Sequence, residues 1–381
     1  MRNNLKPPCS VLFVFSDVNN SPQLVAILQK FGKEKVPFEL IILGKGQSKL
    51  CVDLDLLGIS YSLSTLSTKY VIPFRFLSIL KRIVFLRPQA LYASGQFATL
   101  IGIPAAFMAR VPTRVFTRHH SNFHYYYNMK LGILADKIAN RFATTIIAVS
   151  KIVEEILLSR ENVPESKVKI IYNGIELDQF RKKPSGFETK MRLHSNSNGS
   201  MEIGVISRLT QLKGVTYVAE AFVKCLKAFP NAHLSLVGAK ADSYPDVSRI
   251  LSNSPTSSYD FVEFNSDIPK FLKSLNVLVH VPIAVDIESF GLVYVESLAA
   301  GVPSIFTVSG VLNEIPNIQE YAQIVPYMDS ESIYQAMMNV LTGSMKPKDL
   351  FPQQSLSQFE IGVMADLYFS QISSGLSLSH S

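Results

Sequence analysis

The chain has 381 residues, 47% hydrophobic and 18% charged, which excludes a disordered or fibrous polypeptide. Its formal charge of +7 is uneven, because residues 1–180 hold 22 Lys+Arg against 12 Asp+Glu. A basic N-terminal half attracts phosphorylated ligands, nucleic acid or an anionic membrane surface, and solubility alone also accounts for a charge this modest; nucleic acid is not an expected partner of this chain. Cys9, Cys51 and Cys225 lack metal-ligand spacing and are odd in number, so they read as buried thiols in a reducing compartment.

The chain opens MRNNLKPPCSVLFVFSDVNN, whose apolar run Val11 to Phe15 reads as a buried strand and not as a signal segment. No apolar stretch is long enough to span a bilayer, so a cytoplasmic location is expected. After the strand come a segment from Gln23 to Gly32, the strand FELIILG, the helical FRFLSILKRIVF and the strand ALYASG. TRVFTRH, a helix near Lys130 to Phe142, TTIIAVS, a helix from Lys151 to Leu158 and VKIIYNG follow. Strand–helix alternation with β-branched strands predicts a parallel sheet covered on both faces. Residues 181–200 interrupt the alternation with a Ser/Asn/Gly run that reads as a linker. It resumes through MEIGVISR, HLSLVGA, FVEFN, LNVLVHVP and VPSIFTV. The expected domains are 1–180 (with about 355–372 returning to it) and 201–354.

Two segments carry the chemistry. In ESFGLVYVE, Glu288 and Glu296 flank a loop-to-helix junction that follows a buried strand. The amides of Phe290, Gly291 and Leu292 are expected free at the helix start, where they and the helix dipole make an anion site. Glu296 lies about 1.4 turns into that helix and suits a diol. The plainer reading is a capped amphipathic helix with surface glutamates. In VISRLTQLKG, Arg208 and Lys213 follow a strand end and supply a fork and a point charge for phosphate.

Together these segments resemble the family-4 retaining glycosyltransferases of the GT-B fold. Arg208 with Lys213-Gly214 precedes the E-x7-E of Glu288 and Glu296. VSKIVEEIL, KVKIIYNGIELDQF, ESLAAGVPSIFTVSGVLNEI and FEIGVMADLYFSQI fit further parts of that family, and the likeness is strongest over 145–320. The resemblance implies an α/β architecture of two Rossmann-like parallel-sheet domains facing across a cleft. The C-terminal helix would cross back to the first domain. It implies transfer, with retention, of a hexose-type sugar from a nucleotide diphosphate sugar to a glycan or lipid-linked acceptor in surface polysaccharide or lipopolysaccharide synthesis. No metal or other cofactor is expected.

The resemblance also implies roles. Arg208 and Lys213 would bind the donor diphosphate, helped by amides near Phe290, Gly291 and Leu292. Glu288 would contact the transferred sugar, and Glu296 the ribose. In Thr117-Arg118-His119-His120-Ser121, the family's histidine is His119 in preference to His120, near donor sugar and acceptor, and Arg118 is placed to reach an acceptor phosphate. The family's Gly-Gly loop is replaced by Asp17-Val-Asn19-Asn20-Ser21-Pro22, leaving Asn20 as a candidate contact. Asp53-Leu-Asp55 imitates a metal-binding D-x-D and reads as a surface loop. Residues 73–88 place Arg75, Lys81, Arg82 and Arg87 among bulky apolar residues, either as an interfacial helix at an anionic membrane or as a sheet-covering helix with snorkelling cations. The aromatic run FHYYYN (123–128) reads as a stacking loop or as packing.

Two alternatives keep the fold and change the activity: a sugar-nucleotide epimerase, or a catalytically inactive binding subunit. A nicotinamide-dependent oxidoreductase is disfavoured, because no G-x-G-x-x-G follows a predicted strand.

Overall fold

The computed structural model describes residues 9–16, 18–44, 46–65, 72–181, 201–344 and 352–376. The expected linker therefore lies outside the described residues, apart from Arg181. Two compact units divide the chain, Met1–Ile175 with Glu360–Ser381, and Glu176–Phe359.

The first unit is built on β1 (Val11–Ser16), β2 (Phe38–Gly44), β3 (Ser62–Thr65), β4 (Ala90–Ser94), β5 (Thr113–Arg118), β6 (Thr145–Ala148) and β7 (Val168–Ile170). They form one sheet in the order β3-β2-β1-β4-β5-β6-β7, and every pairing is parallel. All six residues of β1 are buried, as expected of a strand covered on both faces. Alternate side chains of β4 show the two coverings. Leu91 and Ala93 lie under Gly102 of the helix Gln96–Met108, whereas the Tyr92 ring meets Phe13 and Tyr368 edge-on. The helices Ile72–Leu86, Gln96–Met108 and Lys130–Phe142 pack side by side.

The C-terminal helix Ile361–Ser373 packs on the helix Pro22–Lys33. Phe369 lies against Phe31 at 4.8 Å, and Tyr368 Oη is 3.0 Å from Thr117 Oγ1, which also lies 2.8 Å from Tyr92 Oη. Aromatic burial of this kind stabilises by about 1.5–3 kcal/mol per ring and anchors the helix to the sheet.

The second unit comprises β8 (Met201–Ile206), β9 (Ala232–Val237), β10 (Tyr259–Val262), β11 (Val277–His280), β12 (Ser304–Phe306) and β13 (Gln323–Ile324). Their order is β10-β9-β8-β11-β12-β13, again parallel throughout. In each sheet the strand order reverses once, between β1 and β4 and between β8 and β11. Open α/β sheets bind ligands outside the carboxyl ends of the strands at such reversals.

Three local expectations change. Asp53 and Asp55 lie within the helix Lys49–Leu56 and not in a surface loop. Two residues apart on a helix, their side chains diverge, so they do not converge on one ion. The helix begun at Lys151 ends as α-helix at Glu155 and continues through a wide π turn, Ile156–Arg160. The aromatic run forms the short helix Phe123–Tyr126, with His124 buried and Tyr126 and Tyr127 exposed. All three cysteines are free and buried. Among the described residues, no helix is long and apolar enough to cross a membrane.

Candidate active site

In the second unit the two chemistry-bearing segments meet at the reversal of strand order. β8 ends at Ile206, and the chain passes exposed Arg208 into a 3₁₀ turn, Gln211–Lys213, that is closed by left-handed Gly214. β11 ends at His280, and Ile283 N donates to Leu212 O at 3.1 Å, tying the two loops together. Lys213 Nζ thereby lies 2.5 Å from Glu288 Oε1, and His280 Nε2 lies 2.8 Å from the same oxygen. The Glu288 amide donates to Ser309 Oγ at 3.0 Å, which fixes the backbone from the other side.

Glycines shape the turn. Gly291 has φ +85° and is the N-cap of the helix Leu292–Ala300, which carries no side-chain cap. Its helix start therefore presents backbone amides for an anion. Gly310 has φ +55°, and a Cβ there would meet Phe290 O at 2.6 Å and Glu288 Cβ at 2.8 Å. The 309–310 loop can thus press against the Glu288 segment only because residue 310 lacks a side chain.

The two carboxylates are driven apart in acidity. Burial alone raises the Glu288 pKa, but the Lys213 ammonium and the His280 hydrogen bond outweigh it and hold the carboxyl down at about 2. Glu296, half-buried on the helix, is pushed up to about 7 by desolvation. His280 is held toward neutrality, first by burial, against the opposing pull of Glu288. Its ring packs edge-on against Tyr294 at 4.9 Å, and Tyr294 Oη donates to Thr307 O at 3.1 Å. A neutral imidazole donating from Nε2 orients Glu288 without neutralising it.

In the first unit, the ends of β4 and β5 open onto a cavity of about 50 Å³ lined by Gln96, Thr99, Thr117, His119, His120 and Asp136, among others. That volume suits a few water molecules or a small substituent. His119 is exposed, and its Nε2 lies 3.2 Å from Ser94 Oγ. Desolvation first, and the neighbouring His120 second, shift the His119 pKa downward, toward a neutral ring.

Arg118 is not presented to an incoming phosphate. Its side chain is 2% exposed and is held by Glu161 Oε1 at 2.5 Å and Asp136 Oδ1 at 3.0 Å. Asn140 donates to the other Glu161 oxygen at 2.6 Å. Asp136 Oδ2 lies 3.0 Å from His120 Nε2 and 2.7 Å from His124 Nδ1, whose Nε2 is 3.1 Å from Gln96 Nε2. His120, His124 and Asp136 could offer a metal three ligand atoms within 4.8 Å of one another. Hydrogen bonds already join those atoms, and the Arg118 cation opposes a second positive charge beside Asp136.

Of the residues singled out from sequence, Arg208, Lys213, Glu288, Phe290, Gly291, Leu292 and Glu296 all belong to the second unit, and Lys213 and Glu288 are in direct contact. His119, His120 and Arg118 share the first unit's cavity. Asn20 is exposed just before Ser21, the N-cap of the helix Pro22–Lys33, and Asp17 lies outside the described residues. Sequence reasoning missed His280, Ser309 and Gly310, along with Asp136 and Glu161. The only sequence signal for His280 was a histidine closing an otherwise apolar strand.

Two Rossmann-like sheets of this order make up the GT-B class of fold, and solved structures share it. The Anabaena protein HepE, in complex with UDP and glucose, superposes with a TM-score of 0.79 at 18% identity, covering 96% of this chain and 100% of that one. The chain belongs to the family-4 glycosyltransferases: the model "Glycosyltransferase Family 4" matches residues 55–179, and "Glycosyl transferases group 1" matches residues 187–352. The capsular polysaccharide biosynthesis glycosyltransferase CapM of Staphylococcus aureus is 27% identical over 251 residues, 63% of this chain and 65% of that protein. The alpha-monoglucosyldiacylglycerol synthase of Acholeplasma laidlawii is 27% identical over 226 residues, 54% of each chain. The chain thus spans less than two thirds of the length of either relative.

Proposed function

We propose that the chain is a retaining, metal-independent glycosyltransferase. It would move a hexose-type sugar from a nucleotide diphosphate sugar to a glycan or lipid-linked acceptor in surface polysaccharide, lipopolysaccharide or glycolipid synthesis, at the cytoplasmic side where such donors are made. The observation that carries the reading is the Lys213–Glu288–His280 contact beside exposed Arg208 and the uncapped helix start. Cations and amides at one strand reversal are what a departing diphosphate needs, since charge builds on it as the glycosidic bond breaks. Both hydrogen bonds to Glu288 fall on Oε1. Oε2 is then the oxygen to accept from a sugar hydroxyl, while Lys213, with three donors, serves Glu288 and phosphate together. Glu296 would accept from the ribose diol. His119, toward neutral, would accompany the acceptor or donor sugar, and same-face attack with the leaving phosphate taking the acceptor proton would retain configuration.

HepE's bound UDP and glucose, and the capsular and glucosyldiacylglycerol relatives, support the donor and acceptor classes. The test is thermal shift and donor hydrolysis across UDP-, GDP- and ADP-sugars with EDTA present, using wild type, Lys213→Ala and Glu288→Ala. One nucleotide class is expected to stabilise wild type, with slow sugar release lost in both variants. Stabilisation by none, or only with a divalent ion added, overturns the reading.

A further inference from the structure

We propose that Asp136 is a positioning residue that fixes the proton of His120 on Nε2, leaving Nδ1 bare to receive a hydroxyl group of an incoming acceptor sugar at the first unit's cavity. This rests on the glycosyltransferase reading above and names the group that meets the acceptor. The Asp136 carboxylate has only acceptor oxygens. Burial pushes this carboxyl up, but the His120 hydrogen bond and the Arg118 charge outweigh it and hold it below its ordinary value. Both rings that meet Oδ2 must therefore donate to it, His120 from Nε2 at 3.0 Å and His124 from Nδ1 at 2.7 Å. Gln96 agrees with that direction. Its Nε2 is a donor and lies 3.1 Å from His124 Nε2, so the ring nitrogen there carries the lone pair. The hydrogen bonds thus run from Gln96 through His124 to Asp136, and from His120 to the same oxygen.

Packing holds the rings in this arrangement. Arg118 Nε donates to His120 O at 3.2 Å, and the His120 and His124 rings lie 4.5 Å apart. Gly132 makes room for His124, because a Cβ there would meet its ring at 2.8 Å. His120 is pushed toward neutrality, first by burial, and a neutral ring with its proton on Nε2 has a lone pair on Nδ1. Nδ1 has no partner among the described residues, and His120 lines the cavity with its side chain 28% exposed. Gln96 lines it too, and with Nε2 committed to His124 its Oε1 is a second acceptor. Two neutral acceptors beside an ionised Asp136 select the occupant. They repel phosphate or carboxylate and complement a neutral group that brings its own hydrogen. A cavity of about 50 Å³ admits a hydroxyl or hydroxymethyl group and not a whole sugar ring. A hydroxyl has a single hydrogen, so the one that meets Nδ1 is a neighbour of the attacking hydroxyl, whose proton goes to the leaving phosphate.

The test is nitrogen NMR of the histidine rings in the full chain near neutral pH, with and without EDTA, followed by titration with the methyl glycosides of glucose, galactose and mannose. His120→Asn and His120→Gln assign the His120 signals. In wild type the His120 proton is expected on Nε2, with Nδ1 unprotonated and shifted by at least one glycoside. His120→Asn puts an amide oxygen where Nδ1 stands and should bind that glycoside within ~3-fold of wild type. His120→Gln keeps a donor to Asp136 but offers nothing at Nδ1, and should weaken binding by ~5–10-fold. A purely structural histidine would give the opposite order. Asp136→Asn, whose amide oxygen goes to Arg118 and whose NH₂ turns to the rings, should move the His120 proton to Nδ1. If that variant does not fold, the wild-type spectrum and the His120 pair still decide. Four results overturn the proposal: a wild-type His120 protonated on Nδ1 or on both nitrogens, a spectrum altered by EDTA as a bound metal would give, no shift with any glycoside, or binding by His120→Gln as tight as wild type. Failure of the donor reading shows separately, as absent donor hydrolysis, and leaves these spectra unchanged.

Discussion

Replacing Glu288 by Gln should change how the stability of the second unit depends on acid. The native carboxyl is held at about 2 against an ordinary value of 4.5. Between those values the unfolded chain binds the proton and the native chain does not, so stability falls as the pH falls. A shift of that size corresponds to about 3 kcal/mol, present above pH 4.5 and lost toward pH 2. Between pH 5 and pH 3 the loss through this one group is about 2 kcal/mol. Glutamine keeps the shape and carries no proton equilibrium. Denaturant unfolding of both proteins across that range, followed through the second unit, gives the difference directly, because the other carboxylates cancel. The wild-type advantage at pH 5 should shrink by about 2 kcal/mol at pH 3. An advantage that stays constant over the range would show that Lys213 and His280 do not hold the carboxylate as the distances imply.

Other substitutions separate structural from chemical roles. Arg118→Ala leaves Glu161 and Asp136 buried without their cation and should destabilise by about 3–5 kcal/mol in denaturant unfolding. Arg208→Ala, at an exposed position, should leave the Tm unchanged while slowing donor hydrolysis ~10²–10³-fold. Gly310→Ala brings a Cβ against Phe290 O and Glu288 Cβ, so a stability loss above ~2 kcal/mol and a fall in hydrolysis are expected together; a fully active, equally stable variant would count against the close approach. Donor affinity, measured by calorimetry, should weaken as the pH drops below the Glu296 value of about 7, by up to ~10-fold per unit, because the ionised carboxylate is the better diol acceptor. Glu296→Gln should flatten that profile, and an unchanged profile would place the titrating group elsewhere.

Much of the fold is written in local patterns. FELIILG and Lys130–Phe142 begin and end where their sequences suggest, because each is uniform in period and bounded by a turn residue or an adjacent strand. Asp53-Leu-Asp55 misleads as an isolated motif, since the apolar Leu50, Cys51 and Leu54 around it set a helical period and are the residues buried. The π turn at Ile156–Arg160 has no comparable signature. Its last residues are ordered by contacts across the unit, with Arg160 donating to Asn122 at 2.6 Å and the next residue, Glu161, pairing with Arg118.

The site divides along the same line. Arg208, Lys213, Glu288 and Glu296 are legible because phosphate and diol recognition demand those residue types beside a strand end and a helix start. His280, Asp136 and Glu161 are not, because their roles depend on which charge each one meets in space. Arg118 shows why the distinction matters. At a strand's carboxyl end, next to two histidines, it has every sequence mark of a ligand-binding cation, yet Asp136 and Glu161 satisfy its charge inside the unit. Arg208 lies two residues past the carboxyl end of β8 in the second unit and is exposed. Burial with two carboxylates makes the first arginine part of the scaffold that shapes a cavity. Exposure beside Lys213 and an uncapped helix start leaves the second available to an anionic ligand. The same residue type at the same kind of position therefore carries opposite expectations, and the contrast between Arg118→Ala and Arg208→Ala turns on this difference.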